Sequence, residues 1–175
     1  VVNQQDPKYI TIKKAIEDDH GENDTWKTSY GDGQAVFDCP LNFTTGYWKL
    51  DGQKRDTPTS GHGFKIDATS GDKGVKIISS TKASHIEIRY FELAGCGDDD
   101  MSHSNDLFYI TQAVEDIHIS HCYLRDAGRC PFLFRHCKGM IEHCYMARNE
   151  STSGQHAAGI SSAWHTTWIV RYNVW

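Results

Sequence analysis

Four segments of this sequence share one pattern, and that pattern constrains the fold more than any other feature. In each, a short β-like run is followed by a two-residue corner and then by a second apolar run. The segments are HIEIRYFEL (85–93), DIHISHCYL (116–124), KGMIEHCYM (138–146) and TTWIVRYNV (166–174). The pattern recurs every 22 to 31 residues, which is typical of a solenoid whose coils bury their apolar faces against one another.

A third apolar run precedes each repeat, so the pattern predicts three strands in every coil. These leading runs are GVKIIS (74–79), NDLFYIT (105–111), CPFLFRH (130–136) and AAGISS (157–162). Alternation predicts the inward side chains Val75, Ile77, Phe108, Ile110, Phe132, Phe134 and Ile160. It predicts the outward side chains Lys76, Tyr109, Leu133 and Gly159. Coils stacked about 4.8 Å apart would join such strands into long parallel sheets.

The position that follows the corner predicts a ladder of core residues. It is filled by Phe91, Cys122, Cys144 and Asn173. The chain has six cysteines, which in a secreted protein could form three disulfides. Because two of them fall on this ladder, and because a free cysteine behaves as a small buried apolar residue, we expect most of the six to be reduced.

Composition excludes some classes of protein. The 175 residues carry a net charge of −5, which does not favour nucleic acid as a partner. No apolar run approaches the roughly 18 residues that a membrane-spanning helix needs. The sequence therefore predicts one globular all-β domain of about five to six coils, with irregular N-terminal strands and a loop over 1–44 and regular coils over 45–175.

The last coil ends on an apolar position without a polar capping segment. An open coil exposes strand edges and core. We therefore expect either a fragment of a longer surface or secreted protein, truncated at both ends, or a chain that stacks end to end on another molecule.

Residues 45–175 resemble the right-handed parallel β-helix proteins of the pectin-lyase-like superfamily. The resemblance is carried by SHIEIRYFEL, EDIHISHCYLRDAGR, KGMIEHCYMARNEST and TWIVRYNVW. The family pattern I-x-I-x-x-N-x-I places asparagine after the corner, and here only Asn173 keeps it. The resemblance implies a right-handed helix, an extracellular or cell-surface location and a polysaccharide partner bound along the sheet of leading strands.

Most enzymes of that family are polysaccharide lyases, hydrolases and epimerases. Lyase chemistry on a uronic acid needs a cation for the carboxylate, a base for the C5 proton and an acid for the leaving oxygen. Arg129, Arg135 and His156 are the catalytic candidates. Where relatives resemble H-x-E-G-I, this chain has Ala158 in place of the carboxylate, so His156 either takes part in catalysis or caps a turn.

A second set of residues is predicted to bind the substrate. It consists of Lys76, Tyr109, Arg125, Asp126, Arg148, Asn149 and Trp164. Arg125 and Arg148 occupy equivalent places on adjacent coils, where each would either hold a sugar carboxylate or pair with a protein carboxylate such as Asp126. Trp164 and Tyr109 are expected to be exposed, whereas Trp48 and Trp168 are expected to point inward with the repeat.

An acidic loop offers a possible calcium site. Asp98, Asp99, Asp100 and Asp106 supply the oxygen ligands that Ca²⁺ prefers, and the alternative is a solvated acidic loop. His121 and His143 share one corner position, so their rings should lie close together.

Two functions follow from these observations. One is an extracellular carbohydrate-active protein, a polysaccharide lyase or glycosidase that acts on an acidic polysaccharide. The other is a non-catalytic carbohydrate-binding, structural or adhesin segment of a surface protein. Convergence of Arg129, Arg135 and His156 in one groove would favour the enzyme.

Overall fold

The computed structural model describes residues 8–15, 33–68, 74–78, 81–95, 106–149 and 158–175, and this part of the chain is all-β. Its strands are β1 (Ile10–Lys13), β2 (Ala35–Phe37), β3 (Leu41–Asn42), β4 (Trp48–Asp51), β5 (Phe64–Asp67), β6 (Val75–Ile77), β7 (Ile86–Arg89), β8 (Phe91–Ala94), β9 (Asp106–Ile110), β10 (Ile117–Ser120), β11 (Tyr123–Arg125), β12 (Cys130–Arg135), β13 (Lys138–Glu142), β14 (Tyr145–Ala147), β15 (Ile160–Ala163) and β16 (Thr167–Arg171). No helix in the described part is long and apolar enough to cross a membrane.

The strands form three parallel sheets, and each strand pairs with the strands three places before and after it. Sheet A has the order β1-β4-β7-β10-β13-β16, sheet B the order β14-β11-β8-β5-β2, and sheet C the order β15-β12-β9-β6-β3. The chain thus visits the sheets in the order A, B, C before it returns to A. This arrangement is compatible with the β-helix solenoid that the repeats predict.

The core lies between the three sheets, and the alternation predicted much of it. Val75, Phe108 and Phe132 follow one another across sheet C, and all three are buried. The rings of Phe108 and Phe132 stack 5.2 Å apart. Trp168 of sheet A packs 3.9 Å from the ring of Phe134, so this tryptophan faces inward as predicted.

The register of β15 differs from the prediction. Ile160 pairs with Phe132, and Ser161 pairs with Leu133, so the outward position equivalent to Leu133 is Ser161 and not Gly159. The register is defined by the pairing of β15 with β12, which spacing along the sequence does not determine. Leu133 lies on the outward row but is buried.

The corner between sheets A and B repeats one backbone conformation. Tyr90, His121, His143 and Tyr172 all have positive φ angles, between 54° and 58°. Non-glycine residues rarely adopt this left-handed conformation, and here it turns each ring outward onto the ring of the next coil. Successive ring centres lie 4.9, 4.9 and 5.0 Å apart, which confirms that His121 and His143 are neighbours.

The ladder after the corner is buried where cysteine occupies it. Cys122 and Cys144 are both buried, and both are free thiols. Asn173 accepts a hydrogen bond from the Cys144 backbone N–H at 2.8 Å and donates one to the Ile141 carbonyl at 3.1 Å. The Cys144 thiol approaches the equivalent carbonyl of the preceding coil, that of Ile119, at 3.9 Å, so asparagine and cysteine both contact backbone groups from this position.

Regular stacking begins before residue 45. β1, β2 and β3 pair in register with β4, β5 and β6, so these N-terminal strands belong to the same three sheets. At the two edge strands of sheet A, inward side chains remain accessible, with Ile10 55% and Val170 42% exposed.

Candidate functional site

The outer face of sheet C carries two of the predicted binding residues side by side. Lys76 pairs with Tyr109 across β6 and β9, and Tyr109 pairs with Leu133 of β12. Lys76 and Tyr109 are half-buried. The alternation that sends Val75 and Phe108 inward sends these two side chains to the surface.

Arg135 ends β12 at the corner between sheets C and A. Its guanidinium carbon lies 4.8 Å from the centre of the Trp164 ring, which is within the range of a cation–π contact. The prediction had given these two residues separate roles, as carboxylate neutraliser and as sugar platform. The structure brings them together.

Arg135 differs from the other described arginines in its partners. The others bond to carboxylates or carbonyls, in the pairs Arg55–His143, Arg89–Asp51, Arg125–Glu92, Arg129–Asp106, Arg148–Asp126 and Arg171–Glu142. In the part of the chain that the structure describes, Arg135 has no such bond. Within that part of the chain, its five N–H donors have no carboxylate or carbonyl partner.

Trp164 is held at the surface by an unusual backbone. The side chain is 59% exposed, and Trp164 and His165 have consecutive positive φ angles of 53° and 54°. Each such residue costs of order 1–3 kcal/mol, and strain of this kind concentrates at functional sites. The His136 ring stacks on the indole, with the two ring centres 5.6 Å apart. One side of the Trp164 indole, called the platform below, is therefore supported by the protein.

A cavity of about 340 Å³ adjoins the platform. Its lining residues are Thr81, Ser84, Ala113, Val114, Glu115, His136 and Lys138. His136 belongs to both the cavity wall and the ring stack. The Lys138 ammonium lies 3.7 Å from the Glu115 carboxylate, and both side chains are exposed. The site thus combines a cation, an imidazole, a carboxylate and an aromatic face.

Sequence reasoning missed His136. The residue follows Arg135 directly and lies opposite Trp164, to whose carbonyl its backbone N–H donates at 2.9 Å. His136 and Trp164 occupy the same corner on adjacent coils, and this shared position could have identified His136. The alignment of the four repeats did not include that corner.

Four other predicted residues lie at the corner between sheets B and C. Arg148 donates to both oxygens of Asp126, at 2.6 and 2.8 Å, and Arg125 donates to Asp126 at 2.5 Å and to Glu92 at 2.9 Å. Burial alone would raise the pKa of Asp126, but the hydrogen bonds from the two arginines outweigh it and lower that pKa. Asn149 accepts from a nearby backbone N–H at 3.3 Å. Of the two roles proposed for these arginines, pairing with Asp126 is the one seen.

Arg129 lies at the other end of β12 from Arg135. Six residues at about 3.3 Å each separate them by roughly 20 Å, so these two catalytic candidates do not converge. Arg129 donates to both oxygens of Asp106, one of them at 2.8 Å, and Asp106 is fully buried. The Cys130 thiol also approaches Asp106 at 3.1 Å, so this carboxylate is engaged within the protein.

The remaining candidates lie outside the described residues. These are His156, Asp98, Asp99 and Asp100. In the described ranges, no group of three or more His, Cys, Asp or Glu side chains is arranged to hold a metal ion. His118, which lies on β10 just before the corner residue His121, hydrogen-bonds to the Glu142 carboxylate at 3.0 Å.

No family model, no curated protein and no solved structure matches this chain.

Proposed function

We propose that this protein is an extracellular carbohydrate-binding β-helix, right-handed and pectin-lyase-like, that holds an acidic glycan on the outer face of sheet C. The observation that carries the proposal is the pairing of Arg135 with the exposed ring of Trp164. Among the described residues, this cation has no anionic partner, and a flat ring beside such a cation suits a sugar that has an apolar face and a carboxylate.

In this proposal the indole of Trp164 contacts the apolar face of a sugar unit, and the guanidinium of Arg135 binds the carboxylate of the same unit. An indole offers a large flat apolar surface at low conformational cost. A guanidinium binds a carboxylate through two parallel hydrogen bonds, which fixes orientation as well as charge. Since Arg135 is already positioned over the ring, little side-chain freedom would be lost on binding.

A polymer would find further contacts along the same face. Tyr109 and Lys76 lie on the outer face of the two coils before that of Arg135, in the row of Leu133, which is two residues before Arg135. Coils repeat at about 4.8 Å, so a glycan that runs along the solenoid would pass one outward side chain per coil. Long sheets that repeat one surface suit a repeating ligand.

A second candidate function is cleavage of that glycan by a lyase or glycosidase. It is favoured by the cavity beside Trp164, whose lining includes His136 and Glu115 and which adjoins Arg135. An imidazole, a carboxylate and a cation are the groups that uronate elimination needs. A Ca²⁺ ion at Asp98–Asp100 is part of this second proposal.

The binding proposal is tested by calorimetric titration with galacturonate oligomers, using Trp164→Ala. Tyr172→Ala is the matched control, because Tyr172 is also an exposed corner aromatic with positive φ (69% exposed, φ 56°) but lies at another corner. We expect about a tenfold loss of affinity for Trp164→Ala, equivalent to about 1.4 kcal/mol, and little change for Tyr172→Ala. Equal effects would contradict the proposal.

Turnover separates the two candidate functions. Ultraviolet absorbance of unsaturated products would reveal a lyase, and reducing-end release would reveal a glycosidase. If the enzyme proposal holds, His136→Asn should abolish product formation and leave binding within a few-fold. Binding without product from the wild type supports the non-catalytic function.

A further inference from the structure

Three of the six asparagines in this chain begin the tripeptide Asn-x-Ser/Thr with a middle residue other than proline. The three tripeptides are NDT (23–25), NFT (42–44) and NES (149–151). This tripeptide is the acceptor for N-linked glycans in exported proteins, and the attached glycan needs a position on the surface. The structure describes the complete tripeptide at 42–44 and only its asparagine at 149–151.

The tripeptide at 42–44 presents its two polar side chains to solvent. Asn42 ends β3, which is the edge strand of sheet C among the described strands. Asn42 and Thr44 are exposed, whereas Phe43 between them is 8% exposed and belongs to the core. The Phe43 backbone N–H donates to the Lys76 carbonyl at 3.0 Å. The segment is therefore anchored through Phe43 while the acceptor amide lies on the outside.

Asn149 lies in a different environment. Its side chain is half-buried, and its Oδ1 atom accepts a hydrogen bond from the Ala127 backbone N–H at 3.3 Å. The geometry therefore favours Asn42 over Asn149 as a carrier of a bulky glycan.

Asn42 also lies at the rim of an apolar opening. Together with Thr44 and Thr45 it lines a cavity of about 180 Å³, whose other lining residues are Ile12, Leu41, Phe43, Trp48 and Leu50. Ile12 is 45% exposed there, and the ring centres of Phe43 and Trp48 lie 6.4 Å apart. Apolar surface at the end of a solenoid needs a cover, and the apolar face of a sugar ring can pack on such aromatic side chains.

We infer that Asn42 carries an N-linked glycan whose first sugars cover this apolar opening. In the transfer, the side-chain nitrogen of Asn42 forms a bond to C1 of the first sugar of a lipid-linked oligosaccharide. The bond from C1 to the lipid pyrophosphate breaks, the pyrophosphate leaves with the electron pair, and the amide nitrogen loses one proton. The inference rests on the extracellular location in the proposed function and not on the binding of an acidic glycan.

The test is secretion of the full chain, behind a secretion signal, from insect cells, followed by mass spectrometry of its glycopeptides. We expect a glycan on Asn42 in most molecules of the secreted wild type. Thr44→Ala should abolish it, whereas the matched control Thr44→Ser, which keeps the hydroxyl of the tripeptide, should retain it. An unmodified Asn42 in the secreted wild type would overturn the inference.

The covering role is measured with a dye that fluoresces on exposed apolar surface. Its fluorescence should rise about twofold in Thr44→Ala and stay near the wild-type value in Thr44→Ser. Asn42→Gln removes the same glycan and replaces Thr44→Ala if that variant is not secreted. Equal fluorescence with and without the glycan would overturn the covering role.

Titration of the same proteins with galacturonate oligomers keeps this inference separate from the proposed function. Trp164 lies at another corner, so binding of the oligomer by a wild type without a glycan on Asn42 would contradict this inference alone. A glycosylated wild type that does not bind the oligomer would contradict only the proposed function.

Discussion

Acid should destabilise this fold well above the pH at which its carboxylates protonate, and His62 is the reason. The residue is buried, and the centre of its ring lies 6.2 Å from that of the Tyr123 ring. Its pKa falls from 6.5 to about 4 in the folded protein, first through burial and then through Arg55. Between pH 6.5 and about pH 4, His62 is therefore mostly protonated in the unfolded chain and mostly neutral in the folded chain.

The sign and size follow from proton linkage. A group whose pKa is lowered by folding stabilises the fold fully above its unfolded pKa, and that stability is lost as pH falls towards the folded pKa. The difference between 6.5 and about 4, at about 1.4 kcal/mol for each pH unit, corresponds to about 3 kcal/mol. His121, whose pKa is also lowered by burial and then by Arg55, acts in the same direction. The hydrogen-bonded carboxylates Asp126 and Glu142 have lowered pKa values, so their contribution is lost at lower pH.

Urea unfolding at half-unit steps from pH 7.5 to pH 4 measures this effect. The free energy of unfolding should fall by about 3 kcal/mol over that interval in the wild type. His62→Phe should remove most of the slope, whereas His165→Asn, at an exposed corner histidine, should keep it. A wild-type profile that is flat between pH 6.5 and pH 4, or a slope that survives in His62→Phe, would refute the reasoning.

Three further outcomes are expected. Gly139→Ala should cost about 1–3 kcal/mol or more, measured by urea unfolding, because its new Cβ would lie 2.1 Å from a backbone carbonyl of β10. Asp106→Asn should cost about 3–5 kcal/mol in the same assay, because it leaves a guanidinium without its buried partner. Cys130 and Cys137 should resist alkylation of the native protein at pH 8, as read by mass spectrometry, because burial raises their pKa values to about 12 and about 11 and leaves about one thiol in a thousand or fewer ionised.

The sequence predicted the parts of the fold that depend on local alternation. Phe108 and Phe132 are inward because a strand sends every second side chain to one face, and that rule needs no knowledge of the rest of the chain. The register of Ile160 could not be predicted in this way, because it depends on how many residues the preceding loop takes up. His121 and His143 were paired correctly because they occupy the same place in adjacent repeats.

The candidate site was predicted less completely, and for a different reason. Whether an arginine is available to a ligand depends on where every carboxylate lies, which only the folded chain determines. Arg125 and Arg129 each bond to a carboxylate from another coil, whereas Arg135 bonds to none among the residues that the structure describes. His62 gave no signal in the sequence, because its burial depends on residues distant in the chain, such as Tyr123, whose ring lies beside it.

One comparison tests the central claim most directly. The affinity of the wild type for a galacturonate oligomer is measured against that for the same oligomer with its carboxyl groups reduced to alcohols, and both titrations are repeated with Arg135→Gln. If Arg135 holds a sugar carboxylate, the wild type should prefer the acidic oligomer at least tenfold, and Arg135→Gln should lose most of that preference while it binds the reduced oligomer as before. A preference that is equal in both proteins, or absent from the wild type, would contradict the account.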